Sequence, residues 1–294
     1  MRRFILVVIL LWGSLKTEAS SLVHKNFEGE EIIFIKLGGS LITHKMMPYT
    51  ERPEMLEKLA KELAKLIKAK PDLKMIIGHG SGSFGHRAAI ENNYDRELGF
   101  STPKEGATVA KTARELHAIV ITALLKAGVP AFSIPPSATG RLERKSQRLI
   151  EMDIKQIQKV LDIGGVPVVY GDVIPFTDGK GTGIVSTEKV FSFLADYFRP
   201  SKIVLLGEVK GVYHPATFSP MTELTPKMWT KIVSSIERES GYAVTGGMRE
   251  KVDQMIEIVK HNPRVEVYIA SGFTEAVFEE LLSSGKLGTL IHSK

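Results

Sequence analysis

Ile32-Ile33-Phe34-Ile35-Lys36-Leu37-Gly38-Gly39-Ser40 and Met75-Ile76-Ile77-Gly78-His79-Gly80-Ser81-Gly82-Ser83-Phe84-Gly85-His86 share one plan, a short apolar run that stops at glycines. Such runs, bounded by turn residues, predict buried strands. Between the two lies a helical pattern. Pro53 stands near its first turn with Glu51 and Glu54, Leu56, Leu59, Leu63, Leu66 and Ile67 recur at helical spacing, and Lys68 and Lys70 close it. Further strands are expected at Ala131–Ile134, Val166–Tyr170, Ile203–Leu206 and Val265–Ile269. Helical patterns fall at Thr108–Lys126, Ile154–Leu161, Lys189–Phe198, Lys251–Val259 and Glu275–Leu282. This alternation predicts an α/β fold with a mainly parallel sheet covered by helices. The stretch Ile174–Val185, with Pro175, Asp178, Gly179, Gly181 and Gly183, reads as a hairpin or flap.

With 294 residues, 43% hydrophobic and 24% charged, the chain has an ordinary globular composition and enough length for a sizeable core. Its net charge of +6 suits anionic ligands. Lysines interleave with glutamates on helical faces, as at Glu57, Lys58, Lys61, Glu62 and Lys65, which reads as a solvated surface rather than a nucleic-acid stripe. The absence of cysteine excludes disulfides, zinc–thiolate sites and a thiol nucleophile. At the start, Arg2 and Arg3 precede the apolar run Phe4–Trp12 and the small residues Ala19, Ser20 and Ser21, a signal-like arrangement too short for a comfortable membrane span. The alternative is a cytoplasmic protein with residues 1–30 as an extension and initiation near Val23.

In an open α/β sheet ligands collect at the strand carboxyl ends, so both glycine turns point at one crevice. There glycine lets backbone amides approach an anion. The second turn contains GxGxxG at Gly80, Gly82 and Gly85, yet a dinucleotide unit needs its next strand and acidic residue about 20 residues on. That distance lands in Gly99–Gly106, well before the strand at Ala131. The same turn has a GxxxxG frame, but His86-Arg87 stands where a P-loop needs Lys-Ser or Lys-Thr. Lys36 ends the first strand, Lys45 lies beyond Gly38-Gly39-Ser40, and Lys251 follows Thr245-Gly246-Gly247-Met248. Phosphoryl transfer needs cations around the charge spread over the transferred group, and these three could supply them. Gly171-Asp172 follows the strand Val166–Tyr170, where the carboxylate could orient lysines or a hydrated magnesium ion, or simply stabilise a turn. His86 ends the second turn and is a ligand candidate for that reason. No spacing of acids and histidines suggests a protein-held metal.

The ordered set IKLGGSLITHK, IIGHGSGSFGH, VVYGDVI, TGGMREKV and GTLI resembles the amino acid kinase superfamily across Ile32–Ile291. The Phe84-Gly85-His86 triplet is most similar to the isopentenyl phosphate kinases within it. The resemblance implies an open αβα sandwich, with an acceptor-binding lobe at residues 31–170 and a nucleotide-binding lobe at 171–294. It further implies ATP and Mg2+ as cofactors and a homodimer. Lys36 and Lys45 would then contact the transferring phosphoryl group, with Gly38, Gly39, Ser40 and Gly82 lending amides or polar contacts. Ser81, Gly82, Ser83 and His86 would bind the acceptor phosphate. Asp172, beside Gly171, would organise the lysines, and Gly207, Gly247 and Lys251 would sit by ATP. Departures fall on the nucleotide side: Ser186-Thr187-Glu188 replaces serine-glycine-aspartate, and Gly207-Glu208-Val209-Lys210-Gly211 replaces threonine-aspartate-valine-aspartate-glycine. Ser81 also replaces a usual glycine. The expected activity is phosphorylation of isopentenyl phosphate. The alternatives are a kinase of another phosphate or phosphonate such as fosfomycin, and a non-catalytic phosphometabolite-binding protein.

Overall fold

The computed structural model describes residues 30–236, 247–283 and 287–294. In chain order, the first half runs β1 (Ile32–Leu37), α1 (Gly39–Ile42), α2 (Pro53–Ala69), β2 (Lys74–His79), α3 (Gly82–Glu91), α4 (Pro103–Lys126), β3 (Ala131–Ser133), β4 (Arg141–Glu143), β5 (Arg148–Glu151), α5 (Ile154–Asp162) and β6 (Val166–Tyr170). The second runs β7 (Asp172–Pro175), β8 (Thr182–Val185), α6 (Thr187–Phe198), β9 (Lys202–Gly207), β10 (Glu223–Leu224), α7 (Pro226–Ile232), α8 (Gly247–His261), β11 (Glu266–Ser271), α9 (Val277–Ser283) and β12 (Thr289–Ile291).

Among the described residues one eight-stranded sheet has the order β10-β12-β11-β9-β1-β2-β6-β3. All its pairings are parallel except β11 with β12. β1 shows why the fold is a sandwich. Its side chains alternate between faces, and both faces are apolar. Ile32 and Phe34 join a core roofed by α5, α6, α7 and α8. Ile33, Ile35 and Leu37 join a second core under α1, α2, α4 and α9. The mainly parallel, helix-covered sheet expected from the alternation of elements, and the open αβα sandwich implied by the resemblance, are therefore the observed fold, with the eight-stranded sheet running through both halves of the chain.

The boundaries shift where caps act. α4 begins at Pro103, earlier than apolar periodicity indicates, because Thr102 and Glu105 form a reciprocal capping box. α6 begins at Thr187, capped by the Ser186 hydroxyl. The flap is a true hairpin, β7 pairing with β8. A second hairpin, β4 with β5, escapes a reading by periodicity because its three- and four-residue strands are too short to show alternation. Thr245 and Gly246, and the signal-like residues 1–29, lie outside the described residues.

Candidate active site

The parallel register lines up Leu206, Leu37, His79 and Tyr170 across adjacent strands, so the segments that follow β9, β1, β2 and β6 all emerge at one edge. There the two glycine turns interlock. A Cβ on Gly39 would lie 2.4 Å from the Gly82 nitrogen, and one on Gly82 would lie 2.6 Å from the Gly39 oxygen. Gly82 also has φ of +49°, which side-chain-bearing residues rarely adopt. Glycine is thus required at both positions for the backbones to touch. Thr43, at the end of α1, ties the turns together: its hydroxyl donates to the Gly39 carbonyl at 2.8 Å and accepts from the Ser83 amide at 2.9 Å. Ser81 precedes α3, and its carbonyl accepts from the Phe84 and Gly85 amides. The first amides of α1 and α3, at Gly39, Ser40 and Gly82, have no intrahelical acceptor, as at any helix start.

Lys36 is buried beside this junction, its ammonium 3.6 Å from where a Gly80 Cβ would be. Its carboxylate partner is Glu188, at 2.9 Å, with both side chains about one-tenth exposed. Burial alone would push the Glu188 carboxyl up, but the charges of Lys36 and Lys251 and a hydrogen bond from Lys36 hold it below the usual carboxylate range. Glu188 sits in the first turn of α6 and Lys251 in the second turn of α8, so the carboxylate that pairs with Lys36 of β1 also feels the charge of a lysine from α8.

Asp172 was expected to organise the lysines, and here the structure differs. The Asp172 side chain is buried and accepts from the Ser137 amide at 3.1 Å and the Val173 amide at 2.8 Å. The direct step from β6 through Gly171 into β7 turns it towards the loop at residues 136–138, and Glu188 takes the position against Lys36. Gly171 donates to the His79 carbonyl at 3.3 Å, which keeps it at the same edge. Gly207 ends β9 beside Gly38, whose amide donates to the Leu206 carbonyl at 2.8 Å. Gly247 opens α8 with φ of +66°.

His86 lies on α3 one turn beyond Gly82 and is half-buried. Lys45 is exposed in the loop between α1 and α2. That loop folds onto α3: Tyr49 meets Phe84 edge-on at 6.0 Å, its hydroxyl bonds Glu91, and Ser83 reaches the Thr50 carbonyl at 3.5 Å. Across the crevice Arg52 pairs with Glu208 at 2.9 Å, and Lys58 donates to the Thr274 carbonyl at 2.7 Å. Periodicity gave no signal for Thr43, Arg52 or the pairing of Glu188, because each acts through a partner on another element. Among the described residues no group of three or more His, Asp or Glu side chains could hold a metal ion.

An αβα sandwich that gathers two interlocked glycine turns and a lysine–glutamate–lysine cluster at one sheet edge defines an α/β phosphate-handling protein, and the chain belongs to the amino acid kinase family, whose model matches residues 31–271. It is 32% identical over 282 residues to an isopentenyl phosphate kinase from Methanothermobacter thermautotrophicus, covering 90% of this chain and 100% of that relative. Within the amino acid kinases it therefore groups with the isopentenyl phosphate kinases. A second such kinase, from Methanocaldococcus jannaschii, is 26% identical over 76% of this chain and 86% of its own length. Among solved structures, an isopentenyl phosphate kinase superposes with a TM-score of 0.73 at 27% identity, covering 89% of this chain and 100% of that one. The product complex of the Thermoplasma acidophilum kinase gives 0.69 at 26% identity, again over 89% and 100%.

Proposed function

We propose that this protein transfers the γ-phosphoryl group of ATP to isopentenyl phosphate, yielding isopentenyl diphosphate and ADP. The observation that carries the proposal is the contact of Gly39 with Gly82 beside the buried Lys36–Glu188 pair, in a chain that matches an isopentenyl phosphate kinase over that relative's full length. An oxygen of the acceptor phosphate attacks the γ-phosphorus, and the bond to the β,γ-bridging oxygen breaks. The attacking oxygen is already anionic near neutral pH, so no strong general base is needed; alignment and charge neutralisation suffice. In this reading the α3 turn, from Ser81 to Ser83, and His86 bind the acceptor phosphate. Lys36 and Lys45 meet the charge on the moving phosphoryl group. Gly38, Gly39, Ser40, Gly207, Gly247 and Lys251 line the nucleotide side.

Glu188 fixes the Lys36 ammonium and draws Lys251 to the same locus, the part assigned by resemblance to Asp172. Amides and lysines suit phosphates, and the described residues hold no carboxylate cluster, so Mg2+ would enter on the phosphates of ATP. The proposal includes a homodimer acting in the cytoplasm, where ATP is supplied. Phosphorylation assays with MgATP and a panel of isopentenyl phosphate, dimethylallyl phosphate, fosfomycin, UMP and N-acetylglutamate test the assignment. The highest kcat/KM is expected for isopentenyl phosphate. Faster turnover of fosfomycin or N-acetylglutamate, or ATP binding without transfer to any of them, overturns it.

A further inference from the structure

Behind the glycine turn lies a buried cluster that the proposed chemistry does not use. His79 closes β2, is fully buried, and places its Nδ1 3.1 Å from the Gly80 carbonyl oxygen. Its Nε2 is 2.9 Å from Nδ1 of His117 on α4, and Nε2 of His117 is 2.8 Å from the hydroxyl of Ser133 at the end of β3. The two imidazoles are inclined by only 17°, and Tyr170 stacks on His117 with centroids 4.2 Å apart.

The direction of every hydrogen bond in this chain follows from one atom. A carbonyl oxygen only accepts, so Nδ1 of His79 must carry the proton. A neutral imidazole then presents a lone pair at Nε2, which obliges His117 to donate from its own Nδ1. Nε2 of His117 is left as an acceptor, and Ser133 donates to it. Both rings stay neutral at physiological pH. Burial, the neighbouring imidazole and the charge of Lys36 push His79 down to about 3, and burial pushes His117 down to about 4. Lys36 is the cation whose charge reaches His79 from β1, and the charges of Arg114 and Asp172 bear on Tyr170, which stacks on both rings.

The carbonyl at the end of the chain belongs to the turn that faces the crevice. In a trans peptide the C=O and the following N–H point in opposite directions. Holding the Gly80 oxygen towards His79 therefore turns the Ser81 N–H away from the buried rings. The backbone of His79 is pinned as well, its carbonyl accepting from the Thr187 hydroxyl at 2.6 Å. We infer that Ser133, His117 and His79 form a one-way hydrogen-bonded chain that sets the Gly80–Ser81 peptide plane and so presents the Ser81 amide to the acceptor phosphate. The inference rests on the assignment of this turn to the acceptor. His79 and His117 are positioning residues that touch no substrate.

Two measurements test it, and the first is independent of any substrate. In protein with 15N-labelled histidine, the His79 and His117 signals are assigned by their loss in His79→Asn and His117→Phe. Both imidazoles are expected as the Nδ1–H tautomer, the minor form in water, without titration between about pH 5.5 and 8. An Nε2–H tautomer at either ring, or a midpoint near 6.5, overturns the chain. The second measurement is kinetic. A neutral hydrogen bond accounts for about two- to tenfold in an equilibrium. His117→Phe, which keeps a ring but no donor, should raise the KM for isopentenyl phosphate by that factor and leave the KM for ATP unchanged. His79→Asn, whose amide can donate to Gly80 from near the Nδ1 position, should stay closer to the parent enzyme than His79→Leu. Equal shifts in both KM values, or indistinguishable Asn and Leu variants in folded protein, overturn the positioning role. Failure of the parent enzyme to turn over isopentenyl phosphate sinks the acceptor assignment while leaving the tautomer result to decide the chain.

Discussion

The Lys36 ammonium and the Glu188 carboxylate are each desolvated and neutralise one another, so the pair resists removal of one partner. Breaking a buried ion pair costs about 3–5 kcal/mol. Glu188→Gln should therefore lower the melting temperature in a thermal scan and reduce kcat, while Glu188→Asp, one methylene shorter, should retain the charge with a weakened contact. Unchanged kcat and melting temperature in Glu188→Gln would remove it from the site. Lys45 differs in kind. It is exposed on the loop between α1 and α2, and in the proposed reaction its charge acts on the phosphoryl group during transfer. Lys45→Met should depress kcat far more than it raises the acceptor KM, and a rise in KM alone contradicts that role. His86, on α3, is assigned to the acceptor phosphate, where a hydrogen bond to a charged group contributes about 1.5–3 kcal/mol. His86→Ala should lower kcat/KM for the acceptor by roughly 10- to 150-fold with little change in the ATP dissociation constant measured by titration. Weakened ATP binding with normal acceptor kinetics would reassign the residue.

At the scale of elements, caps and loops decide how helices reach the crevice. α4 carries His117 and Arg114 and starts at the Thr102–Glu105 capping box rather than where its apolar stripe becomes regular. Replacing an N-cap threonine by alanine costs about 1 kcal/mol. Thr102→Ala should therefore lower denaturant stability by that amount with unchanged acceptor KM; no loss of stability would mean that the box contributes nothing. The β4–β5 and β7–β8 hairpins form a separate tier beside the end of β6, where Arg144 bonds Asp178 and covers the Phe176 ring at 3.9 Å. The flap was legible from its glycines and proline. Its neighbouring hairpin was not, since three- and four-residue strands carry no periodicity and are held by the contacts they make, such as Leu142 beside Phe176.

At the scale of the whole molecule, the family match begins at residue 31 and the first described strand at Ile32, both beyond the signal-like residues. Deleting residues 1–22 should leave kcat and both KM values unchanged, and a folded but inactive truncated protein would refute this. No helix among the described residues is long and apolar enough to cross a membrane. The sandwich itself could be read from the sequence, because β1 is apolar at every position but Lys36 and a strand buried on both faces needs helices on both. The glycine turns could be placed at one edge for a similar reason, since a parallel sheet puts all its strand carboxyl ends together. The partners of the charges could not be read. Glu188 reaches Lys36 from more than a hundred residues away, and Asp172 meets two backbone amides instead. Nothing in the sequence links His79 to His117 until the packing of α4 on the sheet brings a nitrogen of each ring to 2.9 Å from the other. Alternation, glycine and capping chemistry act within a few residues and are written locally. Which charge neutralises which, and which nitrogen bears a proton, depends on side chains from distant elements sharing one desolvated space, and only the folded chain creates that space.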